Sequence, residues 1–318
     1  MICLGIESTA HTFGVGIVNE KKVLANVKES YTTESGGMNP IEVSRAHEKI
    51  YKKVIDLALS EANLLLSDID IVSYSRGPGF GTCLKVAMKA VEEIGKPFVG
   101  VNHCVSHLEV GKFATKAKDP VLLYASGANT QVIAYEGKKY RVFGETLDMG
   151  VGNFIDSFAR YMGLGFPGGP KISILSEESD KEFIKLPYVV KGMDVSFSGL
   201  LTNLKQKYDS RNYKKGNLAY SMQETTFAML LEVAERAMAH CDKKELLLGG
   251  GVACNKRLQE MAKKMCEERG AKCFIPPNEL MLDNGAMIAV SGLYHYKKGR
   301  KEKLEIRPYE RTDDVKVD

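Results

Sequence analysis

The chain has 318 residues, 44% of them hydrophobic and 26% charged, with a formal net charge of +4 at pH 7. That balance excludes disordered and collagen-like classes, and the length suits two lobes of ordinary domain size or one large domain. No apolar run approaches the roughly 20 residues a membrane helix needs, so no membrane partner is expected. The charge is too mild to argue for nucleic acid by itself. Seven scattered cysteines predict reduced thiols in a cytoplasmic protein rather than a disulfide framework.

Met1–Glu7 lacks the basic start and long apolar stretch of a signal peptide and reads as a core strand. Ile2–Glu7 and Phe13–Val18 predict two strands joined by a polar turn, and Lys22–Val27 a third. Asn39-Pro40 opens an amphipathic helix to about Ala62, with Ile50, Val54, Ile55, Leu57 and Leu59 on its apolar side. Ile69–Ser75 reads as a buried strand, Arg76-Gly77-Pro78-Gly79-Phe80-Gly81 as a turn, Thr82–Ile94 as a helix and Pro97–Val101 as a strand.

The pattern restarts at Asp119-Pro120. Strands are predicted at Val121–Ala125, Gln131–Tyr135 and Tyr140–Glu145, then helices near Gly152–Met162, Ser198–Asp209 and Gln223–His240. Glu245–Leu248 and Lys272–Ile275 read as further strands, Asn255–Glu268 and Asn284–Tyr296 as helices. Three strands, helix, strand, helix, strand thus occurs twice, without a residue-by-residue match between the halves. The expected architecture is two α/β lobes: residues 1–118, completed by the C-terminal helix 284–318, and residues 119–283. Such lobes imply a ligand cleft between them. The charged tail Arg311–Asp318 reads as the domain edge.

His103-Cys104-Val105-Ser106-His107 places two imidazoles four residues apart, on one face if the segment is helical, a geometry that can bind one metal ion. Cys104 stands where a zinc protease of the HExxH type carries its catalytic glutamate, so no general base is supplied there. Two partly exposed helical histidines are the alternative. Asp283, at a turn before the last helix, offers a carboxylate ligand or a helix cap. Leu247-Leu248-Gly249-Gly250-Gly251-Val252-Ala253 joins a strand to a helix through three glycines, with Asn255 near the helix start. Backbone N–H groups there suit an anion. Gly165-Phe166-Pro167-Gly168-Gly169-Pro170 and Tyr124-Ala125-Ser126-Gly127-Ala128-Asn129-Thr130 are weaker candidates of the same kind. Arg76-Gly77-Pro78-Gly79 serves equally as a rigid turn, and Asp156 equally as a solvated helical carboxylate or a partner for ribose hydroxyls.

Taken in order, GIES, SRGPGFGTCLKV, GVNHCVSHLEVG, LYASGANTQVIAY, FGETLDMGVGNFIDSFAR, PGGPKI, LPYVVKGMDVSFSGLLT, LLGGGVACN, LDNGAMIA and YERTDDV closely resemble the tRNA threonylcarbamoyladenosine transferase family. The nearest form is the archaeal and eukaryotic catalytic subunit of the KEOPS complex, and bacterial TsaD is a more distant relative. The resemblance implies an α/β, two-lobed ASKHA fold of the actin, Hsp70 and sugar kinase type, with ribonuclease H-like lobes and an interlobe cleft. It implies transfer of the threonylcarbamoyl group from threonylcarbamoyl-AMP to the N6 amine of a tRNA adenosine, releasing AMP. Carried over by position, the metal ligands are His103, His107 and Asp283, with Tyr124 contributing in the archaeal form. Substrate contacts fall on Tyr124, Ala125, Ser126, Gly127, Ala128, Asp156, Gly169 and Asn255, and Ser173 stands where the family usually has a carboxylate. Glu7 is the candidate base, should one be needed. Iron is the favoured metal and zinc the alternative.

Three departures stand out: Ala128 for a second glycine, Ser173 for the carboxylate, and His11 for an acidic residue of the first loop. The implied partners are tRNA, a kinase-like ATPase subunit, a small dimerising subunit and an upstream threonylcarbamoyl-AMP synthase. Some relatives are fused to the kinase after an ending like this one. The basic stretches Lys214-Lys215, Lys243-Lys244 and Lys297–Lys303 are candidate tRNA contacts, though such runs usually form solvated faces. Three other readings stay open: a metalloprotease, a phosphotransferase of the same fold, and a non-catalytic nucleotide-binding scaffold.

Overall fold

A computed structural model describes residues 1–32, 39–297, 299 and 302–315. Residues 298, 300 and 301 of the basic stretch, and 316–318 of the charged tail, lie outside the described residues. The chain divides into two compact units. The first holds Met1–Ala114, Lys138–Tyr140 and Leu282–Asp318, and the second Thr115–Gly137 and Arg141–Met281.

The first unit opens with the strands β1 (Ile2–Glu7), β2 (Thr12–Asn19) and β3 (Val23–Ser30), followed by helix α1 (Pro40–Ala62), β4 (Ile71–Gly77), α2 (Gly81–Ile94), β5 (Phe98–Asn102) and α3 (His103–Ala114). Its five-stranded sheet runs β3-β2-β1-β4-β5. The first three strands pair antiparallel, while β1–β4 and β4–β5 are parallel. Apolar runs in β1 and β2 are buried almost throughout, as expected of strands covered on both faces. Asn39 caps α1 by accepting from the Ile41 N–H. The buried stripe of α1 is Val43, His47, Tyr51, Val54, Ile55 and Ala58, a helical spacing in which a histidine and a tyrosine replace expected aliphatics. Leu57, expected on that side, is 44% exposed.

The second unit repeats the order. The strands β6 (Val121–Ala125), β7 (Thr130–Glu136) and β8 (Lys139–Glu145) precede four helices, α4 (Val151–Tyr161), α5 (Gly168–Glu177), α6 (Ser198–Asp209) and α7 (Lys215–His240). A two-stranded ribbon, β9 (Val190–Lys191) with β10 (Asp194–Val195), lies between α5 and α6. Then come β11 (Glu245–Gly249), α8 (Lys256–Glu268), β12 (Lys272–Phe274) and the short α9 (Asn278–Met281). The sheet order β12-β11-β6-β7-β8 mirrors the first sheet, with β6–β7 antiparallel and β11 parallel to both β6 and β12. The expected α/β class therefore holds, with two mixed sheets of one design. The helices α3 and α9 and the β9–β10 ribbon were not among the expected elements, and two others differ from expectation. Gly168–Glu177 is a helix where only a glycine turn was expected, and α7 starts at Lys215 rather than Gln223.

The chain then returns to the first unit for α10 (Gly285–His295). This helix lies against β1 and β2 at backbone distance. A Cβ on Gly16 would stand 2.1 Å from the Ala286 nitrogen, and one on Gly285 2.1 Å from the Gly16 nitrogen. Only glycine permits that approach, and it fixes where the residues just before α10, Asp283 among them, emerge. Among the described residues no helix is long and apolar enough to cross a membrane.

Candidate metal centre

The metal candidates assemble on α3 and the entry to α10, all within the first unit. Asn102 caps α3, its side-chain oxygen accepting from the N–H groups of Cys104 at 3.0 Å and Val105 at 3.1 Å. The helix starts at His103, so His103 and His107 lie one turn apart, ring centroids 5.0 Å from each other. They are 3% and 2% exposed, which removes the reading as partly exposed histidines. Asp283 Oδ1 lies 3.5 Å from His103 Nε2 and 3.4 Å from His107 Nε2. One ligand atom from each of the three residues falls within 4.8 Å of the others. Ligands about 2.1 Å from a tetrahedral ion stand about 3.4 Å apart, so the two carboxylate–imidazole separations match those of a shared ion.

The electrostatics point the same way. Burial lowers the pKa of His107 against the opposing pull of Asp283, which favours the neutral ring a metal requires. Burial raises the pKa of Asp283, but the two histidines outweigh it and hold the carboxyl well below the usual range. Cys104, between the histidines, is pushed up to about 11 by burial; it supplies neither a base nor a thiolate at neutral pH.

Glu7, the candidate base, is fully buried at the end of β1. Its Oε1 accepts from the N–H of Thr9 at 2.7 Å and from the Thr9 hydroxyl, and its Oε2 faces His103 Nδ1 at 3.0 Å. Both oxygens are occupied within the protein, which suits a buttress better than a proton acceptor for substrate. Behind α3, Asn102 donates to Glu310 at 3.2 Å. Glu310 also binds Arg76, at 2.8 Å from Nη2, and Arg307 at 3.2 Å.

The substrate candidates belong to the second unit. Tyr124 and Ala125 end β6, at 1% and 0% exposure. Beyond them, Ser126 to Asn129 form a loop bound to the first turn of α4: Gly152 N–H donates to the Ser126 carbonyl and Asn153 N–H to the Gly127 carbonyl. Gly127 and Ala128 are exposed at the loop tip. Gly249 of β11 pairs with Tyr124, so this loop and the triple-glycine turn lie side by side at the C-terminal ends of parallel strands, where α/β sheets commonly bind ligands. The turn differs from expectation, because a 3-10 turn (Gly251–Cys254) intervenes before α8. The Gly250 N–H is bound to the Met281 carbonyl, and a Cβ there would stand 2.3 Å from the Ala125 oxygen. Gly250 thus serves strand packing, not anion binding.

Asn255 caps α8 through its oxygen, and its amide donates to Gln223 at 2.7 Å. Asp156 on α4 accepts from the Gly168 N–H at 2.7 Å, which ties it to the start of α5. Gly169 faces open space, and Ser173 is half-buried one turn on. Thr9, Asn102, Gln223 and Glu310 were not singled out from sequence. Asn102 carried a signal, an asparagine directly before a helical histidine pair; Glu310 carried none.

A family model described as tRNA N6-adenosine threonylcarbamoyltransferase matches residues 22–290. A protein of that name from Thermococcus sibiricus is 53% identical over 324 residues, covering 100% of this chain and 99% of its own. A probable bifunctional tRNA threonylcarbamoyladenosine biosynthesis protein from Methanosarcina mazei is 50% identical, covering 99% of this chain and 59% of the longer relative. Among solved structures, HypF of T. kodakarensis superposes with a TM-score of 0.65 at 14% identity, over 92% of this chain and 47% of that one; this likeness concerns the fold alone. With the matched span and half its residues identical from end to end, the chain belongs to the tRNA N6-adenosine threonylcarbamoyltransferase family.

Proposed function

We propose that the chain transfers a threonylcarbamoyl group from threonylcarbamoyl-AMP to the N6 amine of a tRNA adenosine. The amine nitrogen bonds to the carbamoyl carbon, the bond from that carbon to the phosphate oxygen breaks, AMP leaves, and the amine loses a proton. The observation that supports this beyond family membership is the His103–His107–Asp283 set, two buried imidazoles and a partly buried carboxylate that could hold one ion. Two imidazoles and a carboxylate suit iron or zinc. When bound, the ion offers a Lewis-acidic point for a carbonyl or phosphate oxygen. The residues at the ends of β6 and β11 do the positioning. Ser126, Gly127 and Ala128 present a loop fixed to α4, Gly169 and Asn255 sit at the starts of α5 and α8, and Asp156 and Ser173 lie within α4 and α5. AMP is a good leaving group, so orientation contributes more than proton transfer, in keeping with an occupied Glu7. A protease reading lacks a base, because Cys104 stands in that place with its thiol protonated. In the cell we expect cytoplasmic work within a KEOPS-type assembly that includes a kinase-like ATPase subunit, a dimerising subunit and the synthase upstream.

The test is transfer to unmodified tRNA from supplied threonylcarbamoyl-AMP, comparing the wild type with His103→Ala. The expected outcome is loss of bound metal and of transfer together, with the fold retained. Full transfer by a metal-free variant would refute the metal's role. Chelator-sensitive peptide cleavage without tRNA modification would refute the transferase reading.

A further inference from the structure

Glu7 and Thr9 are not metal ligands, yet they converge on one ring nitrogen of His103. Glu7 Oε2 lies 3.0 Å and Thr9 Oγ1 3.2 Å from His103 Nδ1. The Thr9 hydroxyl gives its hydrogen to Glu7 Oε1, so its oxygen is left to accept, as the carboxylate also does. Two acceptors around one ring nitrogen require that nitrogen to carry the hydrogen. In the neutral ring that a metal requires, Nε2 then bears the lone pair, and Nε2 is the atom facing Asp283 at 3.5 Å. We propose that Glu7, backed by Thr9, is the positioning residue of the metal centre: it fixes the tautomer and ring orientation in which His103 presents Nε2 to the ion.

The arginine–glycine–proline turn after β4 acquires a role in the same chain of contacts. The Thr9 carbonyl accepts from the Phe80 N–H at 2.8 Å, and a Cβ on Gly79 would stand 2.6 Å from that carbonyl oxygen. Gly79 is bare so that the turn can press against Thr9. Ser8, next to it, is held by Ser75 and by the Cys83 carbonyl. The first loop is therefore clamped on two sides, and the clamp ends on His103. A carboxylate behind a metal-bound histidine also raises the ligand's basicity, and loss of such partners typically costs about 10–100-fold in metal affinity. No proton moves in this role.

This inference rests on the metal reading of His103, His107 and Asp283, and zinc alone tests it without any transfer assay. Zinc dissociation constants of the full chain are measured by chelator competition for the wild type, Glu7→Ala, Glu7→Gln and Gly79→Ala, with near-UV circular dichroism as the check on folding. Glu7→Ala is expected to weaken zinc about 10–100-fold. Glu7→Gln, which keeps an acceptor oxygen but not the charge, weakens it less, and Gly79→Ala weakens it while touching no ligand. Cobalt substitution reads the geometry directly: the visible spectrum of the Glu7 variants shifts from that of the wild type. A folded Glu7→Ala with wild-type zinc affinity overturns the proposal. If the alanine variant fails to fold, Glu7→Gln decides: unchanged affinity and spectrum overturn the proposal, weakened affinity supports it. Glu7→Gln that holds zinc normally but cannot transfer would make Glu7 a base and also overturn it. A wild type that binds zinc without modifying tRNA would sink the proposed function and leave this inference standing.

Discussion

Gly285→Ala is the perturbation whose cost follows most directly from the structure. Gly285 is the first residue of α10, and alanine in a helix is worth roughly 1 kcal/mol over glycine. Against that gain, the new Cβ would stand 2.1 Å from the Gly16 nitrogen and 2.3 Å from the Val15 carbonyl carbon. Both are backbone atoms of a central strand, and the shortfall from ordinary contact is about 1.3 Å. No side chain can swing aside, so the helix must retreat. Overpacking of this kind costs about 3 kcal/mol, leaving a net loss of about 2 kcal/mol and a melting point lower by about 4–8 °C. Asp283 sits two residues earlier and moves with the helix, whereas metal–ligand distances tolerate only about 0.2 Å. Zinc affinity should therefore fall at least about tenfold, as when a group that orients a ligand is lost. Differential scanning fluorimetry and zinc competition measure both effects. Gly199→Ala, a helical glycine with nothing within 4 Å of its Cβ, serves as the control and should be neutral or stabilising. Wild-type melting and zinc affinity in Gly285→Ala would refute the argument that bare backbone contact sets the position of Asp283.

Glu310→Ala should cost about 3 kcal/mol in denaturant unfolding, because it strands the partly buried Arg76 and removes the partner of the buried Asn102. A loss below 1 kcal/mol would mean that water replaces the carboxylate. Thiol labelling should spare Cys3, pushed up to about 12 by burial, and Cys83 and Cys104, pushed up to about 11. At pH 8 about one molecule in a thousand carries a thiolate at a group of pKa 11. Mass spectrometry should find Cys241 and Cys254, which are partly exposed, alkylated first, and the three buried thiols only after unfolding.

The fold was legible where periodicity was strong. The antiparallel start of each sheet, the Asn39 cap and the limits of α6 follow from local pattern. The start of α5 was hidden because Gly168-Gly169-Pro170 reads as a turn, although Asp156, from another helix, accepts the first amide there. Leu57 was misplaced because His47 and Tyr51 hold the buried stripe through partners far away in sequence, Ser8 for the histidine and Glu93 for the tyrosine. The histidine pair was visible from spacing. Asp283 was legible only as an open choice between ligand and helix cap, because nothing local connects it to His107; the resemblance settled the expectation. Glu7 was legible as a candidate base on the first strand, but a sequence does not show that its two oxygens face Thr9 and His103.

The first unit is written in the chain as two large, distant pieces with Lys138–Tyr140 between them, and this bears on how the protein is made. A ribosome delivers both histidines long before Asp283, with nearly the whole second unit in between. Until that residue emerges, the nascent chain offers a two-ligand site without its anionic member, and β1 and β2 lack the helix that closes over them. On the proposed metal reading, capture waits until Asp283 has been made and α10 docks with it. Long-range closure of this kind is slow and leaves apolar sheet surface uncovered meanwhile, so translation of the second unit is the interval in which chaperones matter most to this chain.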